Sequence, residues 1–126
     1  MTGGYLSSIY NETERPKSKY PFQLAERLMS VHSIEPEETL IDLGAGRGEV
    51  AIGFAKLGIT VHAVDRDETF RSDIENAGIN FISHDIGTDQ LPFEDDSVDI
   101  VYSKSFLEHL PNPEPVLREC YRILKP

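Results

Sequence analysis

Leu40-Ile41-Asp42-Leu43-Gly44-Ala45-Gly46-Arg47-Gly48-Glu49-Val50 decides how this chain folds. A short apolar run ends in glycines at positions 44, 46 and 48, and a helix-patterned segment follows. Glycine at a strand-to-helix turn adopts backbone angles closed to other residues and lets a ligand come close to the main chain. The helix beyond starts with N–H groups that have no partner inside it, so the turn offers a site for a polar ligand. A Gly-rich turn alone suits many nucleotide-like ligands. The residues around it narrow the choice.

Thr39 to Leu43 reads as the first buried strand. After the turn, Val50, Ala51, Phe54, Ala55 and Leu57 form a helical stripe that Gly58 ends. Thr60 to Val64 is a second strand ending at Asp65, and Glu68 to Ala77 a helix stopped by Gly78. Ile79 to Ser83 is a third strand ending at His84-Asp85. A loop with Leu91-Pro92-Phe93 and Glu94-Asp95-Asp96 leads to a fourth strand, Val98 to Tyr102, and Ser103 to Leu110 forms a helical turn. Pro113 and Pro115 open a last helix with Val116, Leu117, Cys120, Tyr121 and Leu124 as its apolar positions. Ahead of the first strand, Pro21 opens a helix to about Val31, with Phe22, Leu24, Ala25, Leu28 and Met29 on its apolar face. Met1 to Lys19 is polar and without a strong period.

Strands alternating with helices predict an α/β fold, a Rossmann-like doubly wound and mostly parallel sheet with right-handed crossovers. In such sheets the ligand sits beyond the carboxyl ends of the strands. Gly44 to Gly48, Asp65, Asp85 and Ser103 all fall there. Asp65 is placed to accept hydrogen bonds from both hydroxyls of a ribose, and would repel a 2′-phosphate. Asp85 suits an adenine amino group, with the backbone of Ile86 at the ring edge, and Arg66 has a stem that can lie on a flat base. Asp42, inside a buried strand, needs a partner: a ligand ammonium group or the N–H groups of the turn. His109 is the histidine near the fourth strand end and the candidate general base. Tyr10 and Tyr20 read first as packed aromatics and second as groups closing the site.

With 126 residues the chain supports one domain with a real core, and 39% hydrophobic with 27% charged residues fits a soluble globular protein. A net charge of -10 argues against nucleic acid as a partner, and Arg15, Lys17 and Lys19 read as a solvated surface segment. Cys120 is the only cysteine, so no internal disulfide forms and a reducing, cytoplasmic setting is expected. No apolar run approaches the ~20 residues of a membrane span, and Met1 to Tyr10 is not a secretory signal.

The stretch Ile41 to Gly48 resembles the first motif of class I S-adenosylmethionine-dependent methyltransferases, and Ala63-Val64-Asp65 the acidic end of their second strand. Asp85 through Leu91-Pro92-Phe93-Glu94-Asp95-Asp96-Ser97-Val98-Asp99 is similar to the adenine side and fourth strand of the small-molecule, type 11-like branch. Glu108-His109-Leu110, Leu117-Arg118-Glu119 and Arg122-Ile123-Leu124-Lys125-Pro126 resemble the helix and exit of that branch. The resemblance implies S-adenosyl-L-methionine as cofactor and a small-molecule methyl acceptor. It puts Gly44 and Gly46 along the methionine portion with Asp42 near its amino group, Asp65 on the ribose, Asp85 on the adenine amine and Ser103 beside the methionine portion. Ala45, Gly48, Arg66 and Ile86 complete the expected contact set, and no metal is called for. It divides the chain into an N-terminal helical or cap segment, 1–36, and a cofactor-binding domain, 37–126. It also implies a sheet with only the 3-2-1-4 half of the usual seven strands. The chain would then be cut short at its C-terminus, with an open apolar edge on the fourth strand that oligomerisation would cover.

Two other classes stay open. One is a non-catalytic module that binds the cofactor or a partner without turnover. The other is a nicotinamide-dinucleotide oxidoreductase, against which stands Glu49 where the dinucleotide fingerprint has glycine.

Overall fold

Residues 19–87, 90–104 and 106–126 are described by the computed structural model. The expectations for Tyr10, Arg15 and Lys17 lie outside them. Helix α1 spans Tyr20–Val31, with Pro21 in its first turn where the missing N–H costs nothing. Then follow β1 (Thr39–Leu43), α2 (Glu49–Lys56), β2 (Thr60–Asp65), α3 (Arg71–Asn76) and β3 (Asn80–Ser83). Strand β4 (Ile100–Tyr102), a 3₁₀ turn at Leu107–His109 and α4 (Glu114–Ile123) complete the order. The four strands lie in the order β3-β2-β1-β4, every neighbouring pair parallel. This is the expected half-sheet.

Alternation along β1 sorts the core. Leu40 joins Ala25 of α1, Ala51 and Phe54 of α2, Val61 and Ala63 of β2 and Ile74 of α3 on one face. Ile41 and Leu43 join Val64, Ile86, Leu91, Val98, Val116 and Ile123 on the other. Both faces are covered, as a parallel sheet requires. The α1–α2 contact is close because Gly53 has no side chain: a Cβ there would lie 3.2 Å from Ala25 and 3.3 Å from the Phe22 backbone. Among the described residues no helix is long and apolar enough to cross a membrane.

Several elements differ from the sequence reading: β3 begins at Asn80 rather than Ile79, and the helical turn after β4 covers only Leu107–His109. Helix α3 begins at Arg71 rather than Glu68, because the Asp67 carboxylate accepts from the Thr69 N–H and hydroxyl at 2.9 and 2.6 Å and holds a turn ahead of it. Strand β4 begins at Ile100 rather than Val98. The Asp99 carboxylate takes the Thr39 N–H at 2.8 Å, while Val98 turns to the other side and bridges to Leu124. The exit of α4 therefore pairs with the residues just ahead of β4. In α4 itself, Leu117 and Tyr121 face solvent, Tyr121 at 85% exposure, and the buried stripe is Val116 and Ile123 with Cys120 beside them. Spacing of three and four fits both assignments, and only the position of the sheet selects one.

Arg122 fastens the loop before β4. Its guanidinium donates to the Leu91 and Phe93 carbonyls, both at 2.9 Å, to Asp95 at 2.8 Å and to Glu119 at 2.8 and 2.9 Å. Glu119 in turn accepts the Leu91 N–H at 2.7 Å. Five donors in a rigid fork suit one side chain to several acceptors at once.

Gly48 adopts φ +79°, and a Cβ there would run into the Ile74 side chain, whereas Gly78, at φ +85°, has open space around it. Gly48→Ala should therefore lose about 2–4 kcal/mol in urea unfolding, and Gly78→Ala only about 1–2 kcal/mol. Pairing Gly48→Ala with Ile74→Ala should cost less than the sum of the two singles.

Candidate functional site

The carboxyl ends of β1, β2, β3 and β4 meet at one side of the sheet, and short bonds lace them together. The Asp65 carboxylate, at the end of β2, accepts the Gly46 N–H at 2.9 Å and the Asp67 N–H at 2.9 Å. The His84 N–H, past β3, donates to the Asp65 carbonyl at 3.2 Å. The Ser103 hydroxyl, past β4, donates to the Leu43 carbonyl at 3.1 Å. So Asp65 bonds the glycine turn and Ser103 the strand ahead of it.

The turn itself is used differently from the sequence expectation. The Gly44 and Ala45 N–H groups donate to the Val64 carbonyl at 2.8 and 3.4 Å, that of Gly48 to Ala45 at 3.0 Å and that of Gly46 to Asp65. These donors are committed inside the protein. At Gly44 (φ +72°) the space of a Cβ is taken by the Phe106 ring, 2.6 Å away, just as Ile74 takes it at Gly48. What the turn presents to a ligand is a backbone drawn flat against β2, with an aromatic ring from the far side of β4 laid on it.

Asp42 is 4% exposed and pairs in register with Ala63 and Tyr102, on the face shared with Leu40. With the N–H groups of Gly44, Ala45, Gly46 and Gly48 spent, no described group hydrogen-bonds its carboxyl. Burial, and secondly the nearby Asp65 charge, push its pKa up to about 7. Tyr102, whose ring meets Phe54 edge-on at 5.7 Å, is pushed up to about 12 by burial and by Asp42 and Tyr20.

At the other end of the crevice Asp85 is half exposed and lies 3.8 Å from the exposed Arg66 guanidinium. Ile86 is anchored in the core, which fixes the backbone beside Asp85. His109 is exposed in the 3₁₀ turn, its N–H donating to the Phe106 carbonyl at 3.0 Å. Three side chains near the strand ends were given no role by the sequence. Phe106 covers Gly44; the buried Nε2 of His84 has no described hydrogen-bond partner; and Lys104 sits over the Tyr20 ring, 5.1 Å from its centroid. None carries a motif signal, because each is defined by what the topology sets opposite it. Among the described residues no three His, Cys, Asp or Glu side chains group as a metal site.

A parallel sheet with a glycine turn after its first strand and acidic residues after its second and third defines a nucleotide-type cofactor-binding protein. The chain belongs to the methyltransferase domain family, which residues 41–126 match. It is 30% identical over 125 residues to a sarcosine/dimethylglycine N-methyltransferase of Halorhodospira halochloris, covering 93% of this chain and 45% of that one. It is 27% identical to the 27-O-demethylrifamycin SV methyltransferase of Amycolatopsis mediterranei, over 82% and 41% of the two chains. The crystal structure of a putative S-adenosyl-L-methionine-dependent methyltransferase from Methanococcus maripaludis superposes with a TM-score of 0.79 at 26% identity, over 95% of this chain and 57% of that one. The chain thus spans less than half the length of these two curated relatives. The fold is that of the class I S-adenosylmethionine-dependent enzymes, and the family implies that cofactor.

The raised pKa of Asp42 has a stability consequence. The folded state holds its proton more tightly than the unfolded chain does, so folding loses stability as pH rises from about 4 to about 7 and is level above. The difference between wild type and Asp42→Asn in urea unfolding should accordingly shift toward the variant across that window. The total is on the order of 4 kcal/mol or less. A pH-independent difference would show that Asp42 titrates normally.

Proposed function

We propose that the chain binds S-adenosyl-L-methionine across the carboxyl ends of its strands and belongs to an enzyme that transfers the methyl group to a small-molecule acceptor. The observation that carries this is the Asp42 carboxyl, 4% exposed and hydrogen-bonded by no described group, directly behind a glycine turn that Asp65 holds in place. Asp42 would receive the ligand's ammonium group. Asp65 keeps lone pairs beyond its two backbone bonds, enough for the ribose hydroxyls. Asp85 and the Ile86 backbone would take the adenine, with Arg66 at its edge. Gly44, Ala45, Gly46 and Gly48 would flank the methionine and ribose portions, and Ser103 would lie beside them. Residues 1–36 would act as a cap segment on a cofactor-binding domain of residues 37–126.

When bound, the cofactor supplies the electrophilic sulfonium methyl. The chain's own share is orientation and exclusion of water, with Phe106 and the strand ends forming the walls. Where the acceptor is a hydroxyl or another weak nucleophile, His109 would accept its proton. The relatives named for sarcosine and dimethylglycine and for a rifamycin differ so widely that no particular acceptor is carried over. The sole cysteine favours a cytoplasmic setting. The acidic balance disfavours nucleic acid, and the β4 edge favours self-association.

Calorimetric titration with S-adenosylhomocysteine, and with NAD in parallel, tests the proposal. Saturable micromolar binding of the former is expected, lost on Asp65→Ala and weakening as pH falls below about 7, where Asp42 is protonated. Binding of NAD alone would refute it. Binding without methyl loss toward any acceptor pool would point to the non-catalytic module. For the base, His109→Ala should lower kcat at saturating acceptor by about 100-fold or more; unchanged turnover removes that role.

A further inference from the structure

The methionine end of the crevice has a defined charge pattern. Asp42 lies in β1 opposite Tyr102 of β4, and Tyr102 stands close enough to Asp42 and Tyr20 for both to act on its titration. Two residues beyond Tyr102, Lys104 extends over the Tyr20 ring at 5.1 Å. Tyr20 is the first residue of α1, and α1 packs beside α2, the helix that leaves the glycine turn. The ring thus places the ammonium of Lys104 on the Asp42 side of the sheet.

Most described cations have carboxylate partners. Arg66 pairs with Asp85, Arg71 with Glu68 and Glu75, Arg122 with Asp95 and Glu119, and Lys125 with Asp99. No described carboxylate pairs with Lys104, although the chain carries 22 acidic residues against 12 basic ones. At the carboxyl end of the sheet the described cations are then Arg66, paired with Asp85, Arg47 in the glycine turn, paired with Glu49 at 3.3 Å, and Lys104, which the Tyr20 ring holds and no described carboxylate pairs. An aromatic ring steadies an ammonium without discharging it.

We propose that Lys104 binds the carboxylate of the ligand's α-amino acid portion, opposite Asp42, which takes its ammonium. The two side chains form a zwitterion clamp. This rests on the cofactor reading above and adds to it the residue that reads the acid group. A clamp of this kind selects ligands with a free amino-acid end over the bare nucleoside thioether. It also orients the sulfur, because an amino acid held at both charges leaves the chain between them and the ribose little freedom. Tyr20 is a positioning residue: it touches Lys104 and ties the start of α1 to the clamp.

Titration of wild type, Lys104→Met and Lys104→Arg with S-adenosylhomocysteine and with 5′-methylthioadenosine, which lacks the amino-acid end, tests the clamp. Lys104 is exposed, so the variants should fold. Lys104→Met should weaken S-adenosylhomocysteine about tenfold or more, the loss of one charge-assisted bond, and leave 5′-methylthioadenosine unchanged. Lys104→Arg should recover most of the loss. Tyr20→Leu should weaken S-adenosylhomocysteine in wild type but not in Lys104→Met. Unaltered S-adenosylhomocysteine binding in Lys104→Met overturns the clamp and spares the cofactor reading. So does an equal loss for both ligands, which would mean that Lys104 only supports the fold. Failure of the wild type to bind either ligand overturns both readings.

Discussion

The bond between the Gly46 N–H and the Asp65 carboxylate, 2.9 Å long, is the constraint on which the rest of the site depends. It draws the turn after β1 onto the end of β2 and leaves the carboxylate facing the crevice with acceptor capacity to spare. A backbone N–H bonded to a carboxylate is among the stronger links a loop can have, and here it is reinforced by the Gly44 N–H on the Val64 carbonyl. With the turn held this way the N–H groups of Gly44, Ala45, Gly46 and Gly48 are bonded elsewhere, and no described group hydrogen-bonds the Asp42 carboxyl behind it.

Burying a carboxyl costs stability, and the remainder of the domain is arranged to withstand it. The sheet is covered on both faces, by α1, α2 and α3 on the Asp42 side and by α4 with the loop before β4 on the other. On that second face Arg122 and Glu119 replace what a longer strand would supply. They bind the backbone of Leu91 and Phe93 directly, and so steady the segment that leads from Ile86 to β4. The two faces differ accordingly: the first carries the buried Asp42 carboxyl, the second the packing that holds the strand ends in place.

The division of charge along the crevice agrees with a ligand that has a base at one end and an amino acid at the other. Asp85 and Arg66 stand at one end; Asp42, Tyr102, Tyr20 and Lys104 stand at the other, with Asp65 between. Family membership implies the cofactor class, and in the proposed reading each charged end of that class meets an opposite charge. Acceptor choice is a separate matter, since relatives of similar identity are named for sarcosine and dimethylglycine and for 27-O-demethylrifamycin SV.

Much of this was legible in the order of residues. The glycines at 44, 46 and 48, the apolar run before them and the acidic ends at Asp65 and Asp85 specify a parallel α/β sheet and its ligand edge, because strand and helix periods and turn chemistry are local properties. The need of Asp42 for a partner was legible too, since the run around it is plainly buried. What the tertiary structure alone decided is which partners were already taken. That the turn N–H groups go to Val64 and Asp65, that Phe106 fills the space at Gly44, that Val98 pairs with Leu124 rather than opening β4, and that Leu117 and Tyr121 face solvent all depend on segments far apart in the chain. Lys104 is the same case. In sequence it is one of several lysines; over the Tyr20 ring it is a positive charge that no described carboxylate pairs. A contact between distant segments leaves no period and no spacing to read, because it is fixed by packing and not by the local backbone.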